Sequence, residues 1–298
     1  MIQIEGKAKE RRIVLTDANN LFELRSYIEK HEEKVIRPLK EMWKKWSEGI
    51  TVKEAEKMIQ MGGVPSEWRD KWSEEIREFV REELLSEWVE AIYRAGTKIT
   101  KKINSVEWKQ FEFNTTHQSV QNWVNDHGGE LIVQLTAQQS EAVQAVLEQF
   151  VIQEPTTSYQ LAMKLKEIVG LTKREAMAVA RFYNSLKEEG VSQSVIRKQI
   201  KRYAEFLRKN RAMRISRTEL SFAYNKGQLY SIQQAVESGY IQGEVRKIWL
   251  TSPDDRLCEI CEPLDGEEVD INETFSIGLD APPAHPHCRC SVSYQVRR

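Results

Sequence analysis

Four cysteines and two histidines near the end of the chain are the residues best suited to chemistry. All the cysteines fall between Cys258 and Cys290. Cys258 and Cys261 form a C-x-x-C, a spacing that lets two thiolates face one tetrahedral ion. His285, His287, Cys288 and Cys290 form a second cluster, and the loop between the clusters is long enough to fold back. The pattern points to structural zinc, because four good donors leave no open position, whereas catalytic zinc keeps one. Six candidates compete for four places. Cys258, Cys261, His285 and Cys288 have the first claim, Cys290 is a close substitute, and His287 reads as a loop histidine. Reduced structural thiols or a disulfide are the alternatives to a metal. Acidic and turn residues dominate this segment, so it has little core of its own and a bound ion would supply much of its stability.

Enzymatic look-alikes fit less well. Zinc nucleobase deaminases use H-x-E followed by P-C-x-x-C, but here the histidines follow the C-x-x-C. His31-Glu32-Glu33 sits in a charged helical stretch far from the cysteines and reads as a solvated face. No H-E-x-x-H is present. A nuclease would need carboxylates and a base near the metal, and no such set can be assembled.

The chain that must position these groups has 298 residues, 40% apolar and 30% charged, with 44 basic and 45 acidic side chains. Length alone suggests two domains. No stretch has the roughly 18–20 apolar residues of a membrane helix, and the basic start lacks an apolar region behind it, so neither a membrane nor a secretory signal is expected.

Apolar residues three or four apart predict helices over most of the chain. Ile13-Val14-Leu15 is a short β-like run. Helical patterns then cover about 19–48, with Pro38 expected to kink or split the helix, a short piece capped by Thr51 and ended at Gly62-Gly63, and a long helix after Ser66. Trp43, Trp46, Trp68, Trp72 and Trp88 fall at helical spacing and read as packing residues rather than a base-stacking platform. An N-cap cluster near 113–123 opens a helix that Gly128-Gly129 should break, and Thr136 should cap the next one. Ser158, Thr172 and Ser192 can each open one more, the last running to about Arg208, and a further helix follows Met213 until Gly239 and Gly243. Strands are expected at 245–252 and 291–296. The fold class is therefore mainly α with a small C-terminal α+β lobe. A helical N-terminal arm or bundle covers 1–112, and a second domain covers 113–298, with a helical middle module and a Cys/His-clipped loop-and-strand terminus at 244–298.

Charge is unevenly spread. Nine basic residues lie between Arg197 and Arg217, with Glu205 the one acid among them, whereas Asp254 to Asp280 carries ten acids and one base. Arg197, Lys198, Lys201, Arg202, Arg208 and Lys209 could touch DNA phosphates or an acidic protein surface. The alternative is that the stripe is solvated or packs against the acidic lobe of the same chain.

Three blocks, in this order and spacing, resemble the phage Mu F-like head morphogenesis family over about 115–296. They are R-A-M-R-I-S-R-T-E at 211–219, K-I-W-L-T-S-P-D-D-R-L-C-E-I-C-E-P-L-D-G at 247–266, and P-P-A-H-P-H-C-R-C at 282–290. Ser216 stands where the family more often has Ala, and His287 where Asn is usual. The resemblance implies a structural minor capsid protein of a tailed phage, not an enzyme, with 113–298 as the family domain. It would act near the portal inside the head, after assembly in the host cytoplasm, binding the portal protein, with the major capsid or scaffold protein and double-stranded DNA as further partners. The competing reading is a metal-dependent nuclease or toxin-like enzyme on the same scaffold. Arg217, Glu219, Trp249, Asp255 and Arg256 belong to the motif blocks and are expected to be structural. Arg217 would fork onto Asp254 or Asp255, and Glu219 would pair with Arg256 or Arg289.

Overall fold

The computed structural model describes residues 12–16, 19–107, 110–149, 157–253 and 257–298. Strand β1 (Arg12–Val14) precedes helices α1 (Asn19–Gly49), α2 (Val52–Met61) and α3 (Ser66–Phe79). A π turn at Val80–Leu84 joins α3 to α4 (Leu85–Glu107). Then come α5 (Gln118–Leu147), α6 (Ser158–Ile168), α7 (Lys173–Glu188) and α8 (Gln193–Glu237). Strands β2 (Glu244–Leu250), β3 (Glu268–Asp270) and β4 (Ser291–Arg297) complete an antiparallel sheet of order β1-β4-β2-β3. The protein is mainly α with a small C-terminal α+β lobe, as its periodicity predicts.

Helix ends follow capping chemistry. Thr51 accepts the Glu54 N–H, and Gly62 closes α2 in the left-handed region at φ 64°. Thr157 and Thr172 each form a full capping box, with Gln160 and Glu175. Several predicted breaks do not occur. Pro38 lies inside α1 without dividing it. Gly128 and Gly129 lie inside α5, and Thr136, also inside that helix, donates its hydroxyl to the Ile132 carbonyl one turn back instead of capping. The helix begun after Ser192 runs unbroken to Glu237. Buried apolar residues flank Pro38 at Val35, Ile36 and Leu39 and follow the glycines at Leu131 and Leu135, and packing outweighs a propensity cost of about 1 kcal/mol per glycine.

The chain divides into two compact units, one from the described parts of Met1–His31, Glu87–Asn122 and Arg217–Arg298, the other from Glu32–Ser86 and Trp123–Ser216. In the second unit, Trp43, Trp46, Trp68 and Trp72 are all buried. Trp72 packs on Trp46 and Trp68 at ring distances of 5.7 and 5.6 Å, so these rings are core, as expected. In the first unit His31 is not on a solvated face. It is buried, 3.0 Å from Glu87 and stacked on Tyr27.

The first unit holds the sheet and the second half of α8. That half-helix carries a buried polar stripe of Ser221, Asn225, Gln228, Ser231 and Gln234. Asn20 bonds Gln228, Ser291 and the Val292 carbonyl, while Ser291 donates to Asn225. Gln234 bonds both backbone groups of Asn114. Each group is paired, which buried amides require. Beside the stripe, Gly227 lets α8 approach α4 so closely that a Cβ there would clash with the Ile92 backbone. Ser231 donates to the Gly96 carbonyl at 3.0 Å along the same contact.

Alanine is the better helix former, yet Gly227→Ala is expected to lower stability by about 1–3 kcal/mol through overpacking. Thermal unfolding of the variant should show a clear fall in Tm. An unchanged or higher Tm would refute the close approach.

Candidate metal centre

The lobe is built outward from β2. Trp249, wholly buried, meets Phe275 edge-on at 5.0 Å. Its backbone carbonyl accepts from Gly266, and Asp265 accepts from the backbone and hydroxyl of Thr251 at 3.0 and 2.7 Å. These bonds fold the segment after β2 back over the sheet. Also on β2, Lys247 is fully buried and donates to the Asp280 carbonyl at 2.8 Å. Lys226 of α8 grips the Asp280 carboxylate at 2.6 and 2.8 Å. Asp280 is therefore anchored just ahead of the A-P-P-A-H segment, whose Pro282–Pro283 peptide is cis.

Two turns then face each other. In the first, Cys261 N–H donates to the Cys258 carbonyl at 3.0 Å. In the second, Cys288 N–H donates to the His285 carbonyl, also at 3.0 Å. The two turns share this closing bond, but only the second has a left-handed third residue. The His285 Nε2 lies 3.0 Å from the Cys258 sulfur and 3.2 Å from the Cys261 sulfur, and Cys261 lies 3.7 Å from Cys288. A zinc–sulfur bond of about 2.3 Å gives a tetrahedral edge of about 3.7 Å, which the Cys261–Cys288 separation matches. His285 Nδ1 lies 2.9 Å from the Pro286 carbonyl, which leaves Nε2 turned to the sulfurs. Metal-binding imidazoles are commonly oriented in this way.

Donors that could hold a metal ion form two overlapping groups among the described residues: Cys258, Cys261 and His285, and Cys261, Cys288 and Cys290. Neither contains a carboxylate. All five predicted ligands are thus brought together, and His287 stands apart from them. His287 occupies the third position of its turn at φ 63°, after Pro286. Proline second and a left-handed residue third is the type II pattern, which favours glycine or asparagine at that place. Asn, usual here in the family that the motif blocks resemble, would suit that place.

The electrostatics show what the cluster lacks. Burial pushes the Cys261 thiol up to about 12, and nearby Cys288 adds to the rise. Cys290 is driven higher still by its hydrogen bond to Cys288 and by burial, while that same bond draws Cys288 well down. Burial opposes charge on His285, but the Pro286 carbonyl and the neighbouring Cys288 and Cys258 sulfurs outweigh it and raise its pKa. Packed this closely, the sulfurs cannot all ionise unaided, and a divalent cation removes the conflict. The donor set fits zinc.

The remaining predicted residues are placed as follows. Arg217 is half-buried on α8 and lines a cavity of about 320 Å³ with Arg25, Ser252, His287, Cys288 and Arg289. Glu219 is buried. Of their expected partners, Asp254, Asp255 and Arg256 lie outside the described residues, and Arg289 is half-buried. Arg197, Lys198, Lys201, Arg202 and Lys209 are exposed on α8. Arg208 instead turns inward. It donates to the Glu167 and Val169 carbonyls at 3.0 and 3.1 Å, closing the end of α6, and pairs with the Glu167 carboxylate. Arg211 is buried over the Trp43 ring and donates to Gln138, while Arg214 pairs with Glu175 at 2.8 Å. Sequence reasoning alone does not find Lys226, Asp280 or Thr218, whose hydroxyl accepts the His287 N–H at 3.3 Å. It also passes over Lys247, although a signal exists: this lysine takes an inward place in an alternating strand.

Residues 182–293 match the model of the family described as Phage Mu protein F like protein, which supports the resemblance carried by the three motif blocks. No curated protein matches the chain, and no solved structure does.

Two outcomes are expected. His287→Asn should leave stability unchanged or raise it, whereas His287→Val should cost about 1–3 kcal/mol in urea unfolding, since a branched residue resists this backbone region. Equal stability of the two variants would contradict the turn. Burial lowers the Lys247 ammonium from its ordinary 10.5 to about 8. In that window the unfolded chain holds the proton that the folded chain has released, so this group's contribution to stability rises with pH. The stability of the wild type relative to Lys247→Met should climb as pH passes from about 8 to 10.5, and a flat difference would show the amine to be hydrated.

Proposed function

Taking the Phage Mu protein F like match over 182–293 as the premise, we propose that the protein is a structural minor capsid protein of a tailed phage. It acts in head morphogenesis near the portal, inside the head, after folding in the host cytoplasm. The observation that supports this reading is the Cys/His donor cluster of the C-terminal lobe, within the family-matched segment. Among the described residues the two turns offer sulfur and imidazole donors, and neither donor group includes a carboxylate. Zinc held there is architectural: it fixes the lobe, with no step of a reaction routed through it.

The portal protein is the first expected partner, with the major capsid or scaffold protein next. None of the helices among the described residues is long and apolar enough to cross a membrane. The five exposed basic side chains of α8 offer a contact for double-stranded DNA or for an acidic portal surface. The distinction between exposed and inward cations sharpens the test. Alanine at Arg197, Lys201 and Arg202 should leave folding intact and flatten the dependence of log K on log salt by about 0.9 for each phosphate no longer neutralised. Arg208→Ala should instead cost about 1–3 kcal/mol of stability, by freeing buried carbonyls.

For the assembly reading, purified heads should contain the chain in low copy, and tagged portal should retain it. Its absence from heads, together with free accumulation in infected cells, would defeat the proposal. Metal-dependent cleavage of DNA or RNA, abolished in a still-folded Cys258→Ser variant, would favour the nuclease alternative.

A further inference from the structure

Two exposed surfaces of the chain carry one pattern, an apolar side chain between charges, with opposite sign. We propose that they bind each other between two copies of the protein. The C-x-x-C turn of one copy, at Glu259, Ile260 and Glu262, docks on the α8 stripe around Phe206 of the second. This goes beyond the assembly reading and does not depend on it.

The basic surface lies on the first half of α8. Lys198, Arg202, Phe206 and Lys209 are spaced by four, four and three residues, so they share one face of the helix. All four are exposed, and Val195 extends the same line. Solvation accounts for the long cations, but it offers nothing to the ring among them, which is 58% exposed. Phosphates fit no better. They gain nothing from Phe206, and Glu205, exposed beside it, repels them. An aromatic anchor with a charged rim is the composition of a protein interface.

The acidic surface shows the complement. Glu259 and Ile260 are the inner residues of the C-x-x-C turn, and both are exposed, as is Glu262 after it. Ile260 is 53% exposed although Cys261 and Leu264 nearby are buried. Carboxylates stand on either side of it in sequence, as Arg202 and Lys209 stand on either side of Phe206. None of these four charged side chains forms an ion pair with another described residue. The wider segment from Asp254 to Asp280 carries ten acids and one base, so its field attracts the stripe from a distance.

Both surfaces are also pre-formed. One lies on a helix of 45 residues, and the other on a turn closed by the Cys261 N–H to Cys258 carbonyl bond at 3.0 Å. Little ordering is lost when such surfaces meet. A second copy supplies both the opposite charge and the apolar contact, which commits the stripe to this occupant over nucleic acid.

Sedimentation velocity of the full chain tests the contact. Association should grow with protein concentration and weaken as salt rises from about 50 to 500 mM. Phe206→Ala should weaken it by about 10–100-fold. The double variant Arg202→Glu with Lys209→Glu should be monomeric, and so should Glu259→Lys with Glu262→Lys. Mixing these two double variants should restore association. The native turn of the first then meets the native stripe of the second, and the reversed surfaces also match. A wild-type chain that stays monomeric at low salt overturns the proposal, whether or not its stripe retains DNA. So does association that survives in either double variant, or a mixture of the two folded variants that stays monomeric.

Substitutions beside Cys258 and Cys261 can unfold the turn, so a second measurement uses wild-type protein alone. Light and isotopically heavy chains are mixed and coupled with a carbodiimide. Amide links should join Glu259 or Glu262 of one isotope to Lys198, Lys201 or Lys209 of the other, and their absence from the mixed-isotope products overturns the contact. The two readings fail separately. Heads without the chain would defeat the assembly reading and leave this contact standing, whereas a monomeric chain that still enters heads would do the reverse.

Discussion

Crowded sulfur is the constraint around which the C-terminal lobe is organised. His285 Nε2 lies 3.0 and 3.2 Å from the Cys258 and Cys261 sulfurs, and Cys261 lies 3.7 Å from Cys288, on loops that carry little else. Thiolates at such distances repel one another, and buried thiols gain little by facing one another. A bound cation would convert the arrangement from a liability into a clip. Other contacts also hold the loops that bring the donors together. Thr251 and Asp265 fold one of them, and Lys226 and Lys247 hold the other at Asp280. Ligand placement is thereby built into the sheet and into α8, which suits a part that must keep its shape.

The lobe is joined to the helices of its unit by polar groups as much as by apolar ones. Apolar packing tolerates sliding, because one methyl group resembles another. The pairing of Asn20 with Gln228, Ser291 and the Val292 carbonyl does not, since a shift of one residue would leave several buried amides unpaired. Gly227 adds a steric requirement for the same seat. Together they define a single register for the first turn of α1, the second half of α8 and the start of β4.

Much of this is legible in the sequence. The C-x-x-C, the following histidine and the later cysteines announce a metal-type cluster. Threonines with Glu or Gln three residues on announce helix starts, and alternation announces the strands beside the cluster. What escapes is tertiary. Gly128-Gly129 and Thr136 carry local signals for interruption, yet α5 runs through all three, with Leu131, Leu135, Ala142 and Val143 buried beyond the glycines. Ser221, Asn225, Gln228, Ser231 and Gln234 look like a solvated stripe until their partners, from distant parts of the chain, are brought to them. Arg208 sits in a basic run indistinguishable by composition from its exposed neighbours, and only the end of α6 explains its inward turn. His287 carries a readable clue: the family's Asn, after a proline, marks a left-handed turn position.

The sheet has one more consequence, for the order of events during synthesis. Strand β1 pairs with β4, and Asn20 bonds a residue 271 positions further on. At about 5–20 residues per second, the ribosome needs roughly tens of seconds to supply that partner. Until then β1 and the first turn of α1 lack their final neighbours, while helices such as α6 and α7, whose caps are local, can already form. The lobe closes last, and translation itself delays its completion.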